Sequence, residues 1–138
     1  MHWALPYIGR PWHPTAEGPD AFYCWSFVRF IQAQHFGRDL PTIPNPEDLL
    51  AMVRAFHAHP ERKRWDRVEF PAEGDCVLMR QARYPIHVGV WLGVDGGGVL
   101  HCAREAGVVF QRRQALSFNG WQIEGFYRFN GGPAEGEA

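Results

Sequence analysis

The spacing of apolar residues changes character along this chain, and that change restricts the fold more than any other feature. Residues 22–36 carry a helical pattern, with Trp25, Val28, Ile31 and Gln32 or His35 near one face and Phe27 and Phe30 beside it. Gly37 follows, a usual helix stop. A second helix is expected from about Pro46 to His59. Asn45 is placed to cap it, Glu47 and Asp48 lie in its first turn, and Leu49, Leu50, Val53 and Phe56 fall on one side. From residue 68 the period becomes two. Cys76–Met79, Ile86–Gly93, Gly98–Cys102, Val108–Gln111 and Ile123–Phe129 read as strands, with a hairpin turn at Asp95-Gly-Gly-Gly98. Helices first and closely spaced strands after them imply an α+β domain: a helical layer on an antiparallel meander.

The flanking segments read as irregular. Residues 1–20 hold Pro6, Pro11, Pro14, Pro19, Gly9 and Gly18, and one short turn is the most order they suggest. The charged run Pro60–Arg67 reads as a solvated linker rather than a basic binding patch. At 138 residues the chain is one domain by length, assigned here to residues 1–130, with a disordered Gly/Pro/Glu/Ala tail at 131–138.

A net charge of −1 gives no reason to expect nucleic acid or an anionic membrane surface as partner. No window approaches the roughly 18 apolar residues of a membrane span. The N-terminus lacks the basic-then-apolar pattern of a signal peptide, so synthesis in the cytoplasm is expected. The six Trp, ten Phe and four Tyr exceed what a small core readily hides, which suggests that some line a groove. Three cysteines do not close a disulfide framework, and whether Cys76 and Cys102 could pair under oxidation turns on their distance.

Cys24 opens the first helix. A thiol there meets the positive end of the helix dipole and unpaired backbone N–H groups, both of which favour thiolate. Two histidines follow in strand contexts, His87 and His101. His87 comes after Tyr84-Pro85 at the start of a strand and is the candidate general base, taking the thiol proton and later protonating the leaving amine. His101 is either the third group that orients the base or a satisfied strand histidine. Cys76 and Cys102 read as core. A zinc site from Cys24, His87, His101 and Cys102 has the right ligand types, but the short ligand spacings of such sites are missing. No metal or other cofactor is expected.

These segments resemble the NlpC-type, papain-like peptidoglycan endopeptidases, especially the branch found in bacteriophage tail proteins. The resemblance rests on Tyr7–Trp12, Phe22–Arg29, Gly37–Pro41, Pro71–Met79, Ile86–Trp91 and Val99–Ala103, in order, over about residues 5–112. No single segment is specific; the combination of Cys-Trp, Glu-Gly-Asp, His-Val-Gly-Val and Leu-His is. It implies a Cys-bearing helix packed on a five- or six-stranded antiparallel sheet. It also implies a Cys24–His87–His101 triad and hydrolysis of the D-glutamyl–diamino acid bond of peptidoglycan stem peptides through a thioester. Tyr7 matches a family tyrosine that lines the cleft near the nucleophile, and Tyr23 and Trp25 flank Cys24 where substrate would bind. Cell-wall-recycling members have Asp-Cys-Ser where this chain has Tyr23-Cys24-Trp25, so Tyr23 replaces an acid that binds the stem's free amine; Asp20 is a candidate substitute.

The context implied is a phage or prophage tail component acting in the periplasm or cell wall, with other tail proteins as partners. Alternatives are a non-catalytic or partner-dependent tail-assembly protein, an antibacterial effector of the same fold, and a thiol acyltransferase or deamidase. Permuted relatives place His before Cys; the Cys-first order here favours the peptidase.

Overall fold

The computed structural model describes residues 2–43, 63–81 and 84–131. The expected helix at 46–59 and all but Gly131 of the expected tail lie outside them. One long helix, α1 (Cys24–Phe36), packs on a six-stranded antiparallel sheet. The strands are β1 (Trp65–Val68), β2 (Cys76–Gln81), β3 (Tyr84–Leu92), β4 (Gly98–Ala103), β5 (Gly107–Arg112) and β6 (Gln122–Phe129), ordered β1-β6-β2-β3-β4-β5. A short helix, α2 (Arg113–Phe118), follows β5. The α+β architecture is the expected one, and the sheet has six strands.

Two elements depart from the sequence reading. The segment taken as a charged linker contains β1, whose Trp65–Val68 pairs with Phe129–Phe126 of β6. Pairing with β6, and burial of Trp65 against Phe129, supply what the polar pattern conceals. The other is α2, which buries Leu116 among few apolar residues and is too short to show a period.

Strand alternation divides the core in two. On the face under α1, Leu78, Val88, Val90, Leu92, Leu100, Cys102 and Val108 meet Phe22, Phe27, Val28 and Ile31. On the opposite face Val77, Met79, Trp91, Val99 and Phe126 pack with Leu116 and Trp121.

The start of α1 is held by Ser26, whose hydroxyl oxygen accepts from the Tyr23 N–H (2.9 Å) and whose O–H donates to the Ala16 carbonyl (2.7 Å). Gly37 ends the helix in the left-handed region, φ 66°, as expected. Near that end, Gln32 and Arg38 both donate to the Gly74 carbonyl, each at 2.8 Å, and so tie α1 to the turn before β2. In that turn Asp75, 1 % exposed, accepts from the Ala72 N–H (2.7 Å) and from Arg128 Nε (3.1 Å) and Nη2 (2.9 Å). Cys76 and Cys102 lie on β2 and β4 with β3 between them, so their backbones are separated by at least two strand spacings, about 9–10 Å, beyond disulfide reach. All three cysteines are free.

Candidate active site

Cys24 is the first residue of α1 and is partly exposed. Main-chain amides of Val88, Trp25 and Cys24 itself interact with its sulfur, which therefore rests against β3 beside the residue that follows His87. These amides, with Arg104 at longer range, pull the thiol pKa down, but burial outweighs them and pushes it up to about 11. Burial thus opposes the thiolate that the helix start and these amides favour.

The two histidines come together. His87 Nε2 lies 2.8 Å from His101 Nδ1, and His101 Nε2 lies 2.7 Å from Gln111 Oε1. Trp121 stacks on the His87 ring, centroids 4.5 Å apart, and presents an edge to His101 at 5.6 Å. All three rings are buried. Burial, and then the neighbouring His101, hold His87 well below its ordinary pKa; burial lowers His101 to about 4 although its bond to Gln111 acts the other way. Both imidazoles are neutral near pH 7.

Gly89 makes this approach possible. A Cβ there would lie 2.9 Å from the Cβ of His101 and 2.5 Å from Val99 Cγ1. The bare backbone lets β4 bring the His101 ring across to His87.

The side chains of His87 and His101 project from the sheet face that carries Trp121, while Cys24 rests on the face under α1. The thiol meets the Val88 amide, one residue along β3 from His87, and among the described residues no hydrogen bond joins Cys24 to His87. Such contacts in substrate-free enzymes are often long and tighten only when substrate binds.

The three expected binding residues all make contacts within the fold. Tyr7 lies along α1, its hydroxyl 3.0 Å from His35 Nε2 near the helix end and its ring edge-on to Phe27 and Phe30. Trp3, stacked on His35 at 3.9 Å, helps draw the N-terminal segment there. Tyr23 is 3 % exposed, its hydroxyl between Glu17 Oε2 (2.8 Å) and the Ile43 carbonyl (2.7 Å). Trp25 is 8 % exposed and donates to the Pro41 carbonyl at 2.9 Å. Both polar ends are bonded within the fold, so Tyr23 and Trp25 anchor the loops around the start of α1. The acid that meets Tyr23 is Glu17. Among the described residues no group of three His, Cys, Asp or Glu side chains is arranged to hold a metal ion.

Gln111, Trp121 and Gly89 were not singled out from the sequence. Gln111 lies on the same face of β5 as Val109, the register partner of His101. That relation exists only once the β4–β5 register is known.

The NlpC/P60 family model matches residues 9–124. The chain belongs to the NlpC/P60 family. Among solved structures it is similar to the crystal structure of the NlpC/p60 domain of the peptidoglycan hydrolase SagA. That match has 22 % identity and a TM-score of 0.54, and covers 87 % of this chain and 89 % of the other. At that identity the likeness is one of fold. No curated protein sequence matches.

Proposed function

We propose that this NlpC/P60 domain is a cysteine peptidase that hydrolyses an amide bond in peptidoglycan stem peptides. The observation that carries the reading is the convergence on β3. The Val88 amide meets the Cys24 sulfur, and the preceding residue is the outer member of a His87–His101–Gln111 hydrogen-bonded chain. Family membership and the SagA domain's fold support peptidoglycan as the polymer.

In this mechanism the Cys24 sulfur attacks the amide carbon as its proton passes to His87. Burial disfavours the charged forms of both thiol and imidazole, so in this mechanism proton transfer accompanies attack. His87 then gives that proton to the departing amine as the C–N bond breaks, leaving a thioester. Water, deprotonated by His87, cleaves the thioester and restores the thiol. The proposed receptors for the developing oxyanion are the main-chain N–H groups at the start of α1.

The D-glutamyl–diamino acid bond is the proposed target, and a phage or prophage tail the proposed carrier to the periplasm or cell wall. Both rest on the sequence resemblance. A second reading, a partner-dependent or non-catalytic tail-assembly protein, is favoured by the raised Cys24 pKa and by the want of a hydrogen bond between Cys24 and His87. Mass spectrometry of defined muropeptides with free and blocked alanine ends separates the two. Cleavage by wild type and none by Cys24→Ala supports the peptidase and identifies the bond. No cleavage by folded wild type, with or without tail proteins added, refutes it.

A further inference from the structure

We propose that Gln111 is a positioning residue that selects the tautomer of both histidines and so makes His87 a base. This deepens the peptidase reading and rests on it for its catalytic consequence.

Each ring nitrogen of a neutral histidine is either a donor or an acceptor, and its partner decides which. Gln111 presents its amide oxygen, an acceptor, to His101 Nε2 at 2.7 Å. His101 must then carry its proton on Nε2, which leaves Nδ1 as a lone pair. That lone pair faces His87 Nε2 at 2.8 Å, so His87 must also carry its proton on Nε2. The nitrogen left bare is His87 Nδ1, able to accept the thiol proton. With the order reversed, an amide N–H facing His101 would drive the proton to His101 Nδ1 and then to His87 Nδ1. The base would begin with its accepting nitrogen already protonated. One side-chain amide at the end of the chain thus sets the proton arrangement two residues away.

The surroundings protect this arrangement. His101 is 0 % exposed and His87 6 %, and Trp121, 8 % exposed, covers the His87 ring face to face. Water has little access with which to scramble the tautomers. After proton transfer the His87 imidazolium still donates from Nε2 to His101 Nδ1, so the same chain stabilises the charged intermediate.

The test is long-range ¹H–¹⁵N correlation of the histidine rings at pH 7, with kcat and KM on a muropeptide, for wild type, Gln111→Leu and Gln111→Glu. Wild type is expected to show His87 and His101 as Nε2–H tautomers. Gln111→Leu, which removes the acceptor, is expected to give mixed tautomers and about 10- to 100-fold lower kcat with KM little changed. Gln111→Glu keeps an acceptor oxygen and adds charge. It is expected to restore the Nε2–H tautomers and to move the acid limb of the kcat–pH profile upward by about one unit or more. Nδ1–H tautomers in wild type, or an unaltered tautomer pattern in folded Gln111→Leu, overturn the proposal. The tautomer readout decides it even if no muropeptide is cut, whereas failure of hydrolysis with the stated tautomers refutes the peptidase reading alone.

Discussion

Replacing Gly89 with alanine should damage the site by adding a single methyl group. The new Cβ would stand 2.5 Å from Val99 Cγ1, 2.9 Å from the His101 Cβ and 3.0 Å from the Leu100 carbonyl oxygen. Carbon atoms in comfortable contact are about 3.5–4.0 Å apart. Relief therefore requires an opening of roughly 1 Å towards Val99 and about half that or more towards His101. Val99 and His101 are both 0 % exposed, and two of the contacts are to Cβ or backbone atoms. A rotamer change cannot provide the space, and β4 itself must shift away from β3. Overpacking of this kind costs about 1–3 kcal/mol. The same shift lengthens the 2.8 Å bond between His87 and His101, and a misplacement near 1 Å can cost about 100-fold in rate. Urea unfolding should show the stability loss, and muropeptide hydrolysis a fall in kcat of tenfold or more. Val99→Ala in the Gly89→Ala background removes the closest clash and should cost less than the two changes taken separately. An unchanged unfolding midpoint and kcat in Gly89→Ala would refute the close-approach argument.

The raised thiol predicts that iodoacetamide labels Cys24 slowly at pH 7 and faster as pH climbs towards about 11; a rate plateau already reached below pH 7 would show a standing thiolate–imidazolium pair instead. The lowered histidines predict acid sensitivity of the fold. His101 binds its proton near pH 4 when folded and near 6.5 when unfolded, so the unfolded state holds more protons between those values and stability falls as pH drops through that window, by up to about 3 kcal/mol. Urea unfolding at pH 7 and pH 4 measures the loss, which should shrink in a folded His101→Gln variant. Asp75→Asn keeps the side-chain size but weakens the buried charge-assisted bonds from Arg128 and the Ala72 N–H, and should lower unfolding free energy by about 2–4 kcal/mol, again read by urea. Tyr23→Phe, which breaks the bonds to Glu17 and Ile43, should destabilise by about 1 kcal/mol or more in thermal unfolding and leave KM unchanged if Tyr23 is an anchor; a large KM rise at unaltered stability would restore it to the substrate cleft.

Local signals made much of this protein legible from its sequence. The helix at Cys24–Phe36 and its stop at Gly37 follow from a 3.6-residue pattern and a glycine that readily adopts positive φ. The strands β2 to β6 follow from alternation, and the α+β class follows from the order of the two patterns. Cys24, His87 and His101 stood out as residue types of known chemistry at telling places. Tertiary structure decided what those signals do not carry. The strand β1 exists because β6 offers it an edge, and half of its own residues are charged. Packing buried Tyr23 and Trp25 and placed Tyr7 on His35, although all three are neighbours of the site in sequence or by resemblance. Register across β4 and β5 put Gln111 on His101, and a missing Cβ at Gly89 let His101 reach His87. Around Cys24, burial opposes the thiolate that the helix end, visible in the sequence, favours. Periodicity is a property of a short stretch of chain. Desolvation and hydrogen-bond direction depend on what folding brings alongside, so the residues expected to do the chemistry were visible in the sequence, while their protonation states and positioning partners depended on the fold.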